Sequence, residues 1–140
     1  MGARRRAREH ALKMLYQADL ASTTTEQAVA GHWSVETEDD PAVRAFAETL
    51  VRAVRADMDA IDALIRDASR NWRLERIGAI DRNLIRLALG EMRSYPSTPA
   101  AVVIDEAVEI AKDYGEAESH VFVNGILEAV RRRLEQEARR

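Results

Sequence analysis

Apolar residues recur at helical spacing through most of the chain. In the first segment, one face carries an apolar residue every three or four positions, namely Ala7, Ala11, Met14, Leu15 and Ala18. Such spacing is typical of an amphipathic helix with one face in a core. No stretch shows the strict alternation of a half-buried strand. The pattern therefore predicts an all-α protein, a bundle of six to seven helices.

The same spacing indicates where the helices begin and which residues form the core. Asp40-Pro41 and Thr98-Pro99 each place a capping side chain before a proline suited to the first helical turn, and Gly115 is suited to end a helix. The helix predicted after the one that starts at Asp40-Pro41 is expected to run as far as Trp72. The predicted core contains Leu15, Phe46, Leu50, Leu64, Leu84, Leu87, Ile110 and Ile126.

The last helix contains three unusual residues. Gly125 costs about 1 kcal/mol relative to alanine inside a helix, so we expect close packing of another helix against it. Asn124 beside it is interpreted as a buried structural residue. Phe122 lies about 100° from the centre of the apolar face, so it is either at the rim of the core or an exposed stacking ring.

Residues 22–40 interrupt the regular pattern. Hydroxyl residues open this stretch, a weakly helical piece follows, and acidic residues end it. We expect a flexible loop near 22–40, with Trp33 attaching it to the core. Because no repeat or interdomain linker is visible, residues 1–140 are expected to form a single domain.

The composition excludes several classes of protein. The chain has 140 residues and no cysteine, which removes disulfides, thiolate catalysis and cysteine-based zinc sites. No apolar run approaches the length of a membrane span, and no long apolar segment follows the first arginines as a secretory signal would require. We expect a cytoplasmic protein without membrane association.

No arrangement of residues suggests catalysis. His10, His32 and His120 lie in different segments, and neither a phosphate-binding loop nor a dinucleotide-binding glycine motif is present. Glu116 and His120 are four residues apart, but Gly115 separates Glu116 from the helix and no third ligand is evident. We therefore expect no enzyme, no cofactor and no metal site.

The first helix begins with a cluster of basic residues, Arg4, Arg5, Arg6 and Arg8. The helix dipole disfavours positive charge at this end, and phosphate is a partner that both guanidinium groups and free helix N–H groups can bind. Tyr16 continues the flank of Arg5 and Arg8, where it could stack on a base. The alternative is a solvated terminus with Tyr16 at the edge of the core, and the pattern alone leaves both open.

Four segments, in order, resemble the NusB family. The first is Arg4-Arg5-Arg6-Ala7-Arg8-Glu9 with Ala11, Leu15, Tyr16 and Gln17; the second is Asp81-Arg82, Leu84, Ile85-Arg86, Ala88 and Glu91-Met92. The third is Pro99, Val102, Ile104-Asp105-Glu106-Ala107, Glu109-Ile110-Ala111-Lys112 and Tyr114-Gly115; the fourth is Ser119 with Phe122-Val123-Asn124-Gly125-Ile126-Leu127. Residues 22–40 match nothing in the family pattern.

The resemblance implies a fold and a function. The family has two small helical bundles packed together and binds the boxA element of ribosomal RNA leaders. It does so with NusE, a small-subunit ribosomal protein, in an antitermination complex that keeps RNA polymerase elongating. The sequence is also compatible with a homodimer, because an apolar-rimmed helix could be buried against a second copy of the chain as well as against NusE.

The resemblance also implies roles for particular residues. Arg4, Arg5 and Arg8, with Arg6 between them, match the arginine-rich start that meets RNA, while Tyr16 and Phe122 lie where the family forms its binding surface. Asp81 and Glu118 match acidic positions facing NusE, and acids suit a basic partner. Glu118 stands where relatives carry aspartate, which keeps the charge and lengthens the side chain.

Two alternatives are of other classes. NusB-like domains also precede RNA cytosine methyltransferases, so the chain could be the N-terminal RNA-binding domain of such an enzyme. A helical DNA-binding regulator would need an exposed recognition helix with basic and amide side chains. The helix predicted to start at Thr98-Pro99 is too acidic for that role.

Overall fold

A computed structural model describes residues 2–140 of the chain. It contains α1 (Ala3–Ala21), α2 (Thr25–Val35), α3 (Pro41–Ala56), α4 (Met58–Ala68), α5 (Ala79–Ser94), α6 (Ala100–Tyr114) and α7 (Ser119–Ala138), with a short 3-10 helix at Leu74–Arg76. No strand occurs within residues 2–140. The prediction of an all-α protein with six to seven helices is confirmed.

Helix α5 is the centre of the molecule. Its residues 83–91 are all buried, as expected for a helix that is covered on every side. The helices α1, α2 and α3 pack together on one side of it, and α4, α6 and α7 lie on the other. This arrangement agrees with the expected pair of small bundles, joined through α5.

Glycine allows α3 and α5 to approach closely. A Cβ atom at Gly90 would lie 2.5 Å from Cγ2 of Val54, a side chain that is fully buried. Valine has little freedom to move aside because it is branched at Cβ. The close packing of α3 against α5 therefore requires a residue without a side chain at position 90.

Ion pairs attach α5 to helices of both bundles. Arg82 donates to the Asp19 carboxylate of α1 at 3.0 and 2.6 Å, and Arg86 donates to Asp62 of α4 at 2.8 and 3.0 Å. Burial disfavours ionised Asp19, but hydrogen bonds from Arg82 and Asn83 outweigh it and lower the pKa of that carboxyl. The arginines at positions 82 and 86 of α5 thus have a structural role.

Six of the eight predicted core residues are buried, namely Leu15, Leu50, Leu84, Leu87, Ile110 and Ile126. Phe46 and Leu64 are only half-buried against the core. Phe46 lies beside Tyr95, with ring centroids 5.5 Å apart, and Leu64 lines clefts at the surface. Helical spacing identified their inward direction, but no further helix covers either side chain.

Residues 22–40 contain a regular helix where we expected a flexible loop. Helix α2 begins with a capping box, in which Thr24 accepts from the Gln27 amide and the Gln27 side chain accepts from the Thr24 amide. The sequence indicated it only as a weakly helical piece, because it buries few residues and its apolar periodicity is weak. Trp33 packs against the core as predicted and donates to Glu48 at 3.0 Å. Flexibility of the flanking residues stays a prediction.

The two predicted proline starts differ. Asp40 caps α3 by accepting from the Ala42 amide, as expected, whereas α6 begins after Pro99 without a side-chain cap from Thr98. None of the helices in residues 2–140 is long and apolar enough to span a membrane.

Candidate nucleic-acid and protein interface

The arginines at the start of α1 are not equally available to a ligand. Arg8 is only 6% exposed and donates to the buried Glu91 carboxylate of α5 at 2.8 and 2.7 Å. Arg5 donates to Glu106 of α6 at 2.8 and 2.6 Å, and Arg8 reaches the same carboxylate at 3.2 Å. Both interpretations of the arginine cluster, phosphate binding and a solvated terminus, imply an exposed Arg8, but its side chain is buried. The physical reason is Glu91, a buried carboxylate that requires a charged partner.

The surroundings of these ion pairs favour the charged forms of the arginines. Burial opposes the charge of Arg8, but the hydrogen bond and the negative charge of Glu91 prevail and raise the pKa of its guanidinium. The hydrogen bond from Arg5 lowers the pKa of Glu106. Because the charged forms of Arg5, Arg8 and Glu106 are favoured, the ion pairs hold α1 against α5 and α6 and neutralise much of the local positive charge.

Arg4 and Arg6 lie nearer to solvent. The Arg4 guanidinium lies over the Phe46 ring, 4.0 Å from its centroid, in a cation–π contact, and the residue is exposed. Arg6 is half-buried and bonds Glu38 at 3.1 Å. The arginine cluster therefore presents Arg4 to solvent, with Arg5 and Arg6 partly accessible beside it.

Tyr16 is half-buried in a cleft of about 430 Å³ between α1 and α2. The cleft is also lined by Lys13, Gln17 and Tyr114, whereas Arg5 and Arg8 do not line it. The Tyr114 hydroxyl donates to Glu9 at 2.9 Å; burial, and then this bond, raise the pKa of Tyr114 to about 12. Tyr16 thus has an accessible edge beside polar groups, while its role stays open between stacking and packing.

Phe122 and Asp81, far apart in the sequence, line one hollow of about 210 Å³. Trp72 and Arg76 complete its rim, and Trp72 is 56% exposed. Glu118 is exposed one helical turn before Phe122, whose amide donates to the Glu118 carbonyl. We call Trp72, Asp81, Glu118 and Phe122 the Trp72–Phe122 surface. It brings together three of the residues that sequence analysis singled out.

Trp72 was not recognised as a surface residue. Its position continues the apolar spacing of α4, which predicted a core tryptophan. Instead α4 ends at Ala68, Ser69 binds the Ile65 carbonyl through both its amide and its hydroxyl, and the chain turns away. The polar residues around Trp72 in the sequence, Asn71 and Arg73, were the available sign of a loop.

Asn124 and Gly125 also differ from expectation. Both are exposed, and a Cβ atom on Gly125 would meet nothing within 4 Å. The predicted close packing of Gly125 and the buried role of Asn124 are therefore wrong. Alanine would be better by about 1 kcal/mol at such a position, so no contact within residues 2–140 explains the glycine. Val121 on the same helix is 56% exposed, which extends the uncovered face.

Comparison with known proteins identifies the family. Residues 5–132 match the family model described as NusB family. A transcription antitermination protein NusB from Sorangium cellulosum is 46% identical over 134 residues, covering 96% of this chain and 95% of the relative. NusB from T. maritima superposes with a TM-score of 0.82 at 35% identity, covering 91% of this chain and 89% of that one. A structure of antitermination factors NusB and NusE in complex with dsRNA has a TM-score of 0.84 at 25% identity, covering 91% and 95%. With a match that includes the arginine-rich start, α5 and most of α7, the chain belongs to the NusB family.

Proposed function

We propose that this protein is a transcription antitermination factor that binds boxA-type RNA together with NusE and supports elongation by RNA polymerase. The observation that carries the proposal is the Trp72–Phe122 surface, which places aromatic rings beside unpaired acids in a chain of the NusB family. Its relatives are antitermination proteins, and a similar structure contains NusB, NusE and RNA. Such a factor would work in the cytoplasm, and its role is binding rather than catalysis.

The chemistry of this surface suits a basic protein. Neither Asp81 nor Glu118 forms an ion pair within residues 2–140, so both charges are available. Exposed aromatic rings such as Trp72 supply the apolar anchors that protein interfaces favour. Gly125 would let a partner approach the α7 backbone. We infer that NusE covers this surface, with the acids meeting its basic side chains.

RNA would meet the start of α1. Arg4 is exposed, and Arg5 and Arg6 can reach phosphates from their partly accessible positions. Arg8 supports the contact by holding α1 in place, because its own donors are engaged by Glu91. Tyr16 supplies a ring on the same helix. These assignments separate residues that touch RNA from one that orients the helix.

The methyltransferase alternative is not favoured. The relatives are antitermination proteins, and the chain matches about 95% of the length of the first two. A separate methyltransferase role has no observation in its support.

A substitution at Trp72 tests the NusE surface. Trp72→Ala should weaken NusE binding tenfold or more, because a central aromatic anchor is worth about 2 kcal/mol or more. Asp81→Lys and Glu118→Lys should also weaken binding, by an amount that shrinks at high salt. Isothermal titration with NusE measures these effects. Thermal unfolding should be unchanged in Trp72→Ala, because Trp72 is exposed, whereas a lysine at position 81 or 118 lies at a helix N-terminus and should cost about 0.3–1 kcal/mol.

The matched control is Leu20→Ala, since Leu20 is 58% exposed on a different helix. It should leave NusE binding as it is. If all three surface variants bind NusE like the unmodified protein, the surface is not the NusE interface.

A further inference from the structure

A second group of arginines surrounds a cleft between the ends of α4 and α7. The cleft measures about 480 Å³. Its apolar floor consists of Leu64, Ala68, Ala129 and Val130, and its basic residues are Arg70, Arg132, Arg133 and Arg140. We call this region the α4–α7 cleft. None of its residues belongs to the Trp72–Phe122 surface or to the start of α1.

Three of these arginines have no partner in the fold. Within residues 2–140, the side chains of Arg70, Arg132 and Arg140 form neither ion pairs nor hydrogen bonds, and all three are exposed. Arg133 pairs with Asp67 at 3.0 Å and with Glu137 at 3.4 Å. Four arginines against these two acids leave an excess of two positive charges in the cleft.

This excess is unusual for the molecule as a whole. The chain carries a formal net charge of −3, yet the cleft concentrates unpaired positive charge in a concave place. Like charges repel one another, and a concave surface strengthens their common field. An anionic ligand would relieve that repulsion.

The arrangement of donors favours a chain of anions. Arg132 and Gln136 lie four residues apart on α7, about 6 Å along the helix axis, and Arg140 lies two residues past the end of the helix. Donors spread along α7 and past its end suit an extended ligand with repeated charges better than a single ion. Guanidinium groups bind phosphate oxygens through paired N–H donors.

We propose that the α4–α7 cleft binds the phosphodiester backbone of RNA, as a second contact apart from the start of α1. The proposal rests on the RNA-binding function proposed above. Because no aromatic side chain lines the cleft, the contact is made to phosphates and does not depend on base sequence. It would add affinity for RNA long enough to reach both regions.

Two triple variants test the proposal. Arg70→Ala/Arg132→Ala/Arg140→Ala removes the unpaired charges of the cleft. Its control is Arg66→Ala/Arg73→Ala/Arg139→Ala, which removes the same number of positive charges from exposed arginines that do not line the cleft. Neither variant breaks an ion pair, so the melting temperature of both should match that of the unmodified protein.

The measurement is affinity for single-stranded RNA with a boxA-type element, in the presence of NusE, at several salt concentrations. A short RNA is compared with one extended on both flanks. Each phosphate contact contributes about 0.7 to the slope of log K against log salt, so the cleft variant should lose up to about two units with the extended RNA. The control variant should keep the slope of the unmodified protein.

Equal losses in both triple variants would mean that only overall charge matters, which overturns the proposal. An unchanged salt slope in the cleft variant also overturns the proposal. The same conclusion holds if the slope is unchanged and the variant loses NusE binding. If the unmodified protein binds RNA and the cleft variant binds it equally well, only the cleft proposal fails. If the unmodified protein binds no RNA, the proposed function fails with it.

Discussion

The arginines that open α1 and those that line the α4–α7 cleft share a side chain but have opposite surroundings. Arg5 and Arg8 bind carboxylates of α5 and α6, and Arg8 bonds two acids that lie 83 and 98 positions away in the chain. The side chains of Arg70, Arg132 and Arg140 form no ion pair with an acid within residues 2–140. A dense run of arginines in a sequence is therefore no measure of the charge that a ligand meets.

The difference lies in desolvation. Arg8 and Glu91 have both left water, and each is tolerable only because the other is present. An exposed arginine keeps its hydration, so the fold loses little when it is removed. The first group should therefore be sensitive to substitution in stability, and the second in ligand binding.

The largest expected effect is on the buried pair. Arg8→Ala should lower the free energy of unfolding by about 3–5 kcal/mol, because Glu91 is left charged and buried without a partner. Urea unfolding measures it. Arg132→Ala, the matched exposed arginine, should change stability by less than about 0.5 kcal/mol.

A second variant separates charge from packing. In Arg8→Met/Glu91→Leu both charges are replaced by apolar groups of similar size, and most of the lost stability should return. If Arg8→Ala and Arg132→Ala behave alike, the contrast between the two groups of arginines is wrong.

The next effect concerns acid, to which only the N-terminal group should respond. Arg6 shares Glu38 with His10, whose ring nitrogen lies 2.8 Å from that of His32, and no histidine lines the cleft. Burial, with repulsion from His10, lowers the pKa of His32 from 6.5 to about 4. Between these two pH values His32 binds a proton in the unfolded chain but not in the folded chain. Stability that is present above pH 6.5 is therefore lost as the pH falls towards 4.

The loss between pH 7 and pH 5 should be about 1–2 kcal/mol. Chemical unfolding at the two pH values measures it, with His32→Gln as the variant that keeps a hydrogen-bonding group without titrating. The difference between the two pH values should shrink in that variant. An equal loss in both proteins would show that His32 does not cause it.

The smallest effect distinguishes neighbouring arginines within the first group. Arg4→Ala should reduce the salt slope of RNA binding by about 0.7, and it should cost at most about 1 kcal/mol of stability from the lost contact with Phe46. Phe46→Leu removes the ring and keeps the charge, so its slope should be unchanged. Unaltered RNA binding by Arg4→Ala would remove Arg4 from the RNA contact.

The sequence predicted the helices well where one face is strongly apolar. It placed the start of α3 correctly at Asp40-Pro41 and identified the family through segments on α1, α5, α6 and α7. It failed where the deciding partner is distant: Arg8 is buried because Glu91 arrives from α5. Spacing alone also could not distinguish Trp72, which follows the end of α4, from a core residue on that helix.

Short-range features had mixed success for the same reason. The residues of the box, Thr24 and Gln27, are present in the sequence, but weak apolar spacing indicated α2 only as a weakly helical piece. Gly125 was expected to pack against a helix because that is the common reason for such a residue, whereas its surroundings in the fold are open. The sequence shows that position 125 is a glycine, but it does not show which helix, if any, lies opposite that residue.

Helix α5 also works as a spacer between the two proposed docking surfaces. It holds Arg8 through Glu91 near one end and carries Asp81 at the other, ten residues or about 15 Å away. Because the helix between them is buried throughout, it cannot bend or stretch on its own. The distance and the angle between an RNA and a protein bound at the two ends are thus built into the register of a single helix. One inserted residue would rotate one surface by about 100° relative to the other, so the length of α5 is as much a part of the adaptor as the side chains it presents.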